Sequence, residues 1–127
     1  MSLFQLGDFT LHSGEKSSFK IECDELTRRD WDCLAKLIVE RAGLFRETIG
    51  IPDGGCELAE RIRYHDTGKD EHPLLIVDDV YTTGASMREM RRMLPPLTPV
   101  IGWVAFARRP VQEPWIKALF TLSSDEH

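Results

Sequence analysis

With 127 residues, 42% of them hydrophobic and 29% charged, the sequence has the size and composition of one soluble globular domain. A net charge of −5 supplies no basic footprint for nucleic acid, and the longest apolar stretch, 100–107, is far too short to span a membrane. Three cysteines (Cys23, Cys33, Cys56) without a CxxC pair, four scattered histidines without zinc spacing, and no basic-then-apolar leader point to reduced thiols, no zinc centre and a cytoplasmic setting.

Along the chain, Phe9 and Leu11 alternate with polar residues, as do Phe19 and Ile21 beyond Ser13-Gly14. That pattern predicts a β-hairpin within 1–24. A helix follows over 27–44, with Thr27 as its cap, Asp30 completing an imperfect capping box and Gly43 at the stop. Trp31, Leu34, Leu37, Ile38 and Ala42 recur at helical spacing and form its core face. A short strand at 48–51 runs into the tight turn Pro52-Asp53-Gly54-Gly55, and 58–63 reads as helical. Strand, Gly-Gly turn and helix N-terminus together make a potential anion site. The segment 61–73 is mixed and partly basic, with Arg63, His65 and Lys69 around a Gly68 hinge. It reads equally as a mobile basic loop or as a plain surface connection.

The stretch 74–87 organises the rest. Leu74-Leu75-Ile76-Val77 has the unbroken apolar character of a central parallel strand buried on both faces. Asp78 and Asp79 stand at its end, where open α/β sheets present side chains to ligands. The turn that follows offers Thr82, Thr83 and Ser86 hydroxyls, with Gly84 to admit a close backbone approach. The N-terminus of the next helix, predicted to run to Leu94 and stop at Pro95-Pro96, aims its N–H groups at the same spot. A phosphate on the turn and two carboxylates beside it suit a phosphorylated sugar such as ribose 5-phosphate. Further on, 100–106 is a second buried strand ending in Ala107-Arg108-Arg109-Pro110, and 115–122 supplies a final apolar segment read as a short helix and an edge strand.

Val77-Asp78-Asp79-Val80-Tyr81-Thr82-Thr83-Gly84-Ala85-Ser86 resembles the phosphoribosyl-pyrophosphate (PRPP) motif of the type I phosphoribosyltransferases. Phe9-Thr10-Leu11-His12-Ser13-Gly14-Glu15-Lys16-Ser17 resembles the N-terminal hairpin of the orotate phosphoribosyltransferases within that group. The resemblance covers roughly 9–109. It implies an α/β fold: a parallel sheet flanked by helices, carrying a small hood hairpin (1–24) on a PRPP-binding core (25–127). By the same resemblance Asp78 and Asp79 would hold the ribose, and Thr82, Thr83, Gly84, Ala85 and Ser86 the 5-phosphate. Lys16, Asp53, Gly54 and Gly55 would meet the pyrophosphate, and Arg108 with Phe106 the base. Arg63, His65 and Lys69 would belong to an abbreviated form of the family's closing loop, which commonly serves a neighbouring subunit.

The implied activity is transfer of a 5-phosphoribosyl group from PRPP to a pyrimidine-type base such as orotate, releasing pyrophosphate. Mg²⁺ would be held mainly through PRPP, without a dedicated protein ligand set, and the chain would act as a homodimer. One aromatic and two charges in Ser18-Phe19-Lys20-Ile21-Glu22, where orotate enzymes carry consecutive aromatics, keep a purine or other base open as acceptor. The short 61–73 segment keeps open a non-catalytic PRPP-binding regulator.

Overall fold

The computed structural model describes residues 3–10 and 16–122, without the side chains of 6–10 and 16–19. The elements in chain order are β1 (Phe4–Thr10), β2 (Lys16–Ile21), α1 (Arg28–Ala42), β3 (Thr48–Gly50), α2 (Cys56–Ile62), β4 (Leu74–Tyr81), α3 (Ala85–Arg92), β5 (Val100–Ala107) and β6 (Ile116–Thr121). β3, β4, β5 and β6 lie in that order in one wholly parallel sheet. β1 and β2 form a separate antiparallel pair, with an irregularity between Leu6 and Phe9. The hairpin expected from the alternation is therefore present, and its tip at Ser13-Gly14 lies outside the described residues.

The apolar run of β4 is buried on both faces, as its composition requires. Leu75 and Val77 pack with Trp31, Leu34 and Ile38 of α1 and with Leu58 and Ile62 of α2. Leu74 and Ile76 pack on the opposite side with Met87 of α3, Val100 and Val104 of β5 and Ile116 of β6. Each such side chain removed from water contributes about 1.5–3 kcal/mol, and β4, like β5 and β6, feeds both cores. The hairpin joins the first core through Ile21, and Phe4 meets Phe106 edge-on with ring centroids 6.1 Å apart.

α1 is fixed by its ends. Thr27 Oγ1 accepts from the Asp30 N–H at 3.2 Å, and Asp30 Oδ2 accepts from the Thr27 N–H at 2.8 Å. The capping box is thus complete despite the shorter acid, and Gly43, at φ +78°, ends the helix. Thr27→Ala should cost about 1 kcal/mol, read as a lower urea midpoint at unchanged slope.

Two local expectations need correction. α2 begins at Cys56, ahead of the predicted 58, because Gly55 already accepts from the Ala59 N–H at 2.9 Å. The final segment contains a strand and no helix. The 108–115 connection is drawn straight back onto the sheet, where the Gly102 N–H donates to the Trp115 carbonyl at 2.8 Å. Gly102 makes room for this, since a Cβ there would stand 2.8 Å from Met87 Cε and 2.9 Å from the Trp115 ring.

The segment 63–73 joins α2 to β4 at the amino-terminal ends of β3 and β4. α2 runs back from the carboxyl edge and delivers Arg63–His65, a single 3-10 turn, to the far edge. There Thr67 N–H donates to the Phe45 carbonyl and Gly68 N–H to the Arg46 carbonyl, both at 3.0 Å. Asp66 Oδ1 accepts from the Thr48 hydroxyl at 2.6 Å. Arg63, His65 and Lys69 are exposed on this edge.

Among the described residues no helix is long and apolar enough to cross a membrane. Cys23, Cys33 and Cys56 are free thiols.

Candidate functional site

The carboxyl edge of the sheet gathers the chemistry. Asp78 is 8% exposed and Asp79 is half-buried. Each carboxylate curls back onto the next peptide: Asp78 Oδ1 accepts from Asp79 N–H at 2.8 Å and Asp79 Oδ1 from Val80 N–H at 2.7 Å. Burial first, and then the adjoining Asp79, push the Asp78 carboxyl up to about 9. The Cys23 thiol, just beyond the hairpin, is raised by burial and by the charge of Asp79.

The glycine turn wraps the same strand end. Ile51 N–H donates to the Val77 carbonyl at 2.9 Å, and Gly55 N–H returns to the Ile51 carbonyl at 2.7 Å. The Pro52–Asp53 peptide is cis. Gly54 lies against Asp79, where a Cβ would stand 2.4 Å from both carboxylate oxygens. Gly55 is tighter, its Cβ position 2.4 Å from the Val77 carbonyl oxygen. Only glycine permits this approach, so the turn and the acid pair form one surface, with Asp53 exposed beside them.

On the other side of the acids, 82–86 makes the turn into α3. Gly84 adopts φ +84°, ψ 0° and caps the helix, and Thr83 Oγ1 accepts from the Ala85 N–H at 3.3 Å. Thr82 and Thr83 are half-buried, while Ala85 and Ser86 are exposed. The N–H groups of the first helical turn and the helix dipole favour an anion there.

β5 ends alongside. Val80 pairs with Phe106 and Tyr81 with Ala107, and Arg108 N–H donates to the Tyr81 carbonyl at 2.9 Å. Arg108 is thus at the carboxyl edge, 8% exposed. Phe106 is 5% exposed and sits in the first core between Phe4 and Phe120, the latter ring stacked with its centroid 5.9 Å away. Lys16 opens β2 opposite Thr10, and its side chain lies outside the described residues. The fold brings together Asp53, Gly54, Gly55, Asp78, Asp79 and 82–86, with Arg108 next to them. It does not bring Arg63, His65 or Lys69 to them.

Sequence reasoning missed Cys23 and the trio Tyr81, Arg88 and Glu113. Tyr81 lies within the motif and Arg88 two residues beyond it, so both were visible there, whereas nothing in the sequence singles out Cys23 or Glu113. Among the described residues no group of three His, Cys, Asp or Glu side chains converges to hold a metal ion.

No family model and no curated protein matches the chain. Solved structures do. The orotate phosphoribosyltransferase of Aeropyrum pernix superposes with a TM-score of 0.75 at 22% identity, over 94% of this chain and 88% of that one. The orotate phosphoribosyltransferase of Mycobacterium tuberculosis H37Rv gives 0.67 at 16% identity, over 94% and 90%. The xanthine-guanine-hypoxanthine phosphoribosyltransferase of Helicobacter pylori gives 0.52 at 18%, over 76% and 80%. With its parallel four-stranded sheet, flanking helices and N-terminal antiparallel hairpin, the chain has the type I phosphoribosyltransferase fold.

Proposed function

We propose that this chain is a phosphoribosyltransferase that moves the 5-phosphoribosyl group of PRPP onto a pyrimidine-type base, orotate being the first candidate, with release of pyrophosphate. The observation that carries the reading is the order of parts along one edge. The Gly54 turn, the Asp78–Asp79 pair and the 82–86 turn lie side by side, two anion cradles flanking two carboxylates. PRPP has that same order, diphosphate, ribose hydroxyls, 5-phosphate. The domain organisation follows: a hood hairpin (1–24) over a PRPP-binding core (25–127).

In this reading Asp78 and Asp79 accept the ribose hydroxyls, and the α3 N-terminus holds the 5-phosphate through 82–86. Backbone N–H groups of 53–55, with Lys16 from the hairpin, meet the charge that builds on the departing pyrophosphate. Holding both ends fixes the breaking bond in place, and donors already aimed at the developing charge lower the barrier. Arg108, with Phe106 behind it, faces the base. Asp78 and Asp79 are too few to cage a metal ion, but they fit a Mg²⁺ that arrives on the diphosphate and keeps phosphate and water as its main ligands. When bound, that ion neutralises leaving-group charge. The three free thiols support a cytoplasmic setting, and the family resemblance of the sequence supports a homodimer.

The experiment is calorimetric titration with PRPP and Mg²⁺, then orotate, with pyrophosphate release assayed in the same sample. Binding with orotate-dependent release is expected. Release only with a purine would favour the second reading, which the Helicobacter pylori likeness supports. Binding without release for any base would favour a PRPP-binding regulator, the reading supported by the position of 63–73 away from the site.

A further inference from the structure

Tyr81, Arg88 and Glu113 form a brace behind the 82–86 turn. The Tyr81 hydroxyl donates to Glu113 Oε1 at 2.6 Å. Arg88 Nη1 donates to Glu113 Oε2 at 2.5 Å and to the Thr83 carbonyl at 2.8 Å. Gln112 N–H donates to the Tyr81 oxygen at 3.3 Å, which seats the 108–115 connection on the same post. The Glu113 side chain is 12% exposed, and a Cβ on Gly84 would stand 2.6 Å from its Oε2. The carboxylate therefore lies directly against the residue whose left-handed backbone shapes the turn.

An acid beside an anion cradle opposes the anion unless a cation neutralises it. Arg88 does so here, and the exchange is mutual. The Arg88 side chain is 47% exposed and would be a mobile surface group on its own. Glu113 fixes it across the Thr83 carbonyl. Burial acts to raise the Glu113 carboxyl, but the Tyr81 hydroxyl and Arg88 outweigh it and leave it below its ordinary value. The brace is thus charged, and intact, at neutral pH.

Resting on the functional reading above, we infer that Glu113 is a positioning residue. Through Arg88 and Tyr81 it holds 82–84 in the shape that receives the 5-phosphate, and it ties that turn to the connection that begins at Arg108. A turn ordered in advance spares the ligand the cost of ordering it.

The test uses the full chain and three variants, Glu113→Ala, Glu113→Gln and Tyr81→Phe, titrated with ribose 5-phosphate. Amide hydrogen exchange is followed at both turns. Glu113→Ala should weaken ribose 5-phosphate by about tenfold, the loss of one charge-assisted contact. Exchange at Gly84 and Ala85 should quicken while that at Gly54 and Gly55 stays as it was. Glu113→Gln, which keeps an acceptor for Tyr81 but not the charge for Arg88, should fall between, as should Tyr81→Phe. These two carry the test if the alanine variant does not fold. Unchanged affinity across the variants, or faster exchange at both turns alike, overturns the inference while leaving the functional reading intact. Absence of ribose 5-phosphate binding by the unaltered chain removes the functional reading, and the inference with it.

Discussion

Replacing Asp78 and Asp79 by asparagine together is expected to abolish PRPP binding, while Asp78→Asn alone makes the empty protein more stable. A ligand's donors would draw the Asp78 carboxyl into its ionised form. Hydrogen bonds to a charged acceptor contribute about 1.5–3 kcal/mol each, so losing both acids should cut affinity by about 100-fold or more. Stability runs the other way, and the sign follows from the proton count. The Asp78 carboxyl titrates at about 9 in the fold, against about 3.9 in an unfolded chain. Between those values the native state holds a proton that the unfolded state has released. The contribution of Asp78 to stability is therefore full below about pH 4 and is lost as pH climbs towards its folded value. Asparagine has nothing to ionise, and its oxygen still accepts from the Asp79 N–H. The single variant should gain about 0.5–2 kcal/mol near neutrality and lose the downward slope between about pH 5 and 9. Thermal unfolding across that range is the check. Parallel curves for parent and variant would mean that Asp78 is not held as described.

The second large effect separates two adjacent glycines. In Gly55→Ala the new methyl meets backbone on every side: the Val77 carbonyl oxygen at 2.4 Å, Ile51 N at 2.6 Å and the Ile51 carbonyl oxygen at 2.8 Å. Neither the end of β4 nor the turn can yield without breaking the Ile51–Val77 hydrogen bond. A loss of about 3 kcal/mol or more is expected, with Tm lower by about 10 °C. In Gly54→Ala the nearest atoms to the methyl are those of the Asp79 carboxylate, a side chain that can rotate away. That variant should fold with a cost of about 1 kcal/mol and still lose ribose 5-phosphate affinity by about tenfold. Chemical denaturation and titration on the pair decide the matter. Equal destabilisation, or a Gly54→Ala protein that binds like the parent, would contradict the packing of the turn on the acids.

What could be read in the sequence was what neighbouring residues decide among themselves. Thr27 and Asp30 are three residues apart, and their capping box is there as expected. The alternation of Leu74, Leu75, Ile76 and Val77 between two cores, the acids at the strand end and the left-handed Gly84 are equally local. The misses are long-range. Glu113 reaches Tyr81 and Arg88 only because β5 and its connection return beside β4, and Cys23 reaches Asp79 only once the hairpin docks on the sheet. No periodicity or spacing announces such pairs. The 63–73 segment was ambiguous because composition alone describes a basic loop and a surface connection equally well. Which edge of the sheet it occupies is set by the direction of α2, a tertiary fact.

That position bears on how molecules enter and leave. Hydrogen bonds from Thr67 and Gly68 to the Phe45 and Arg46 carbonyls moor the segment at the amino-terminal edge, so it is no door to its own chain's site. Closures of this kind commonly shield reactive intermediates from water and set the rate of product escape. In the proposed reading, release of product would therefore not wait on the opening of this segment by the same chain.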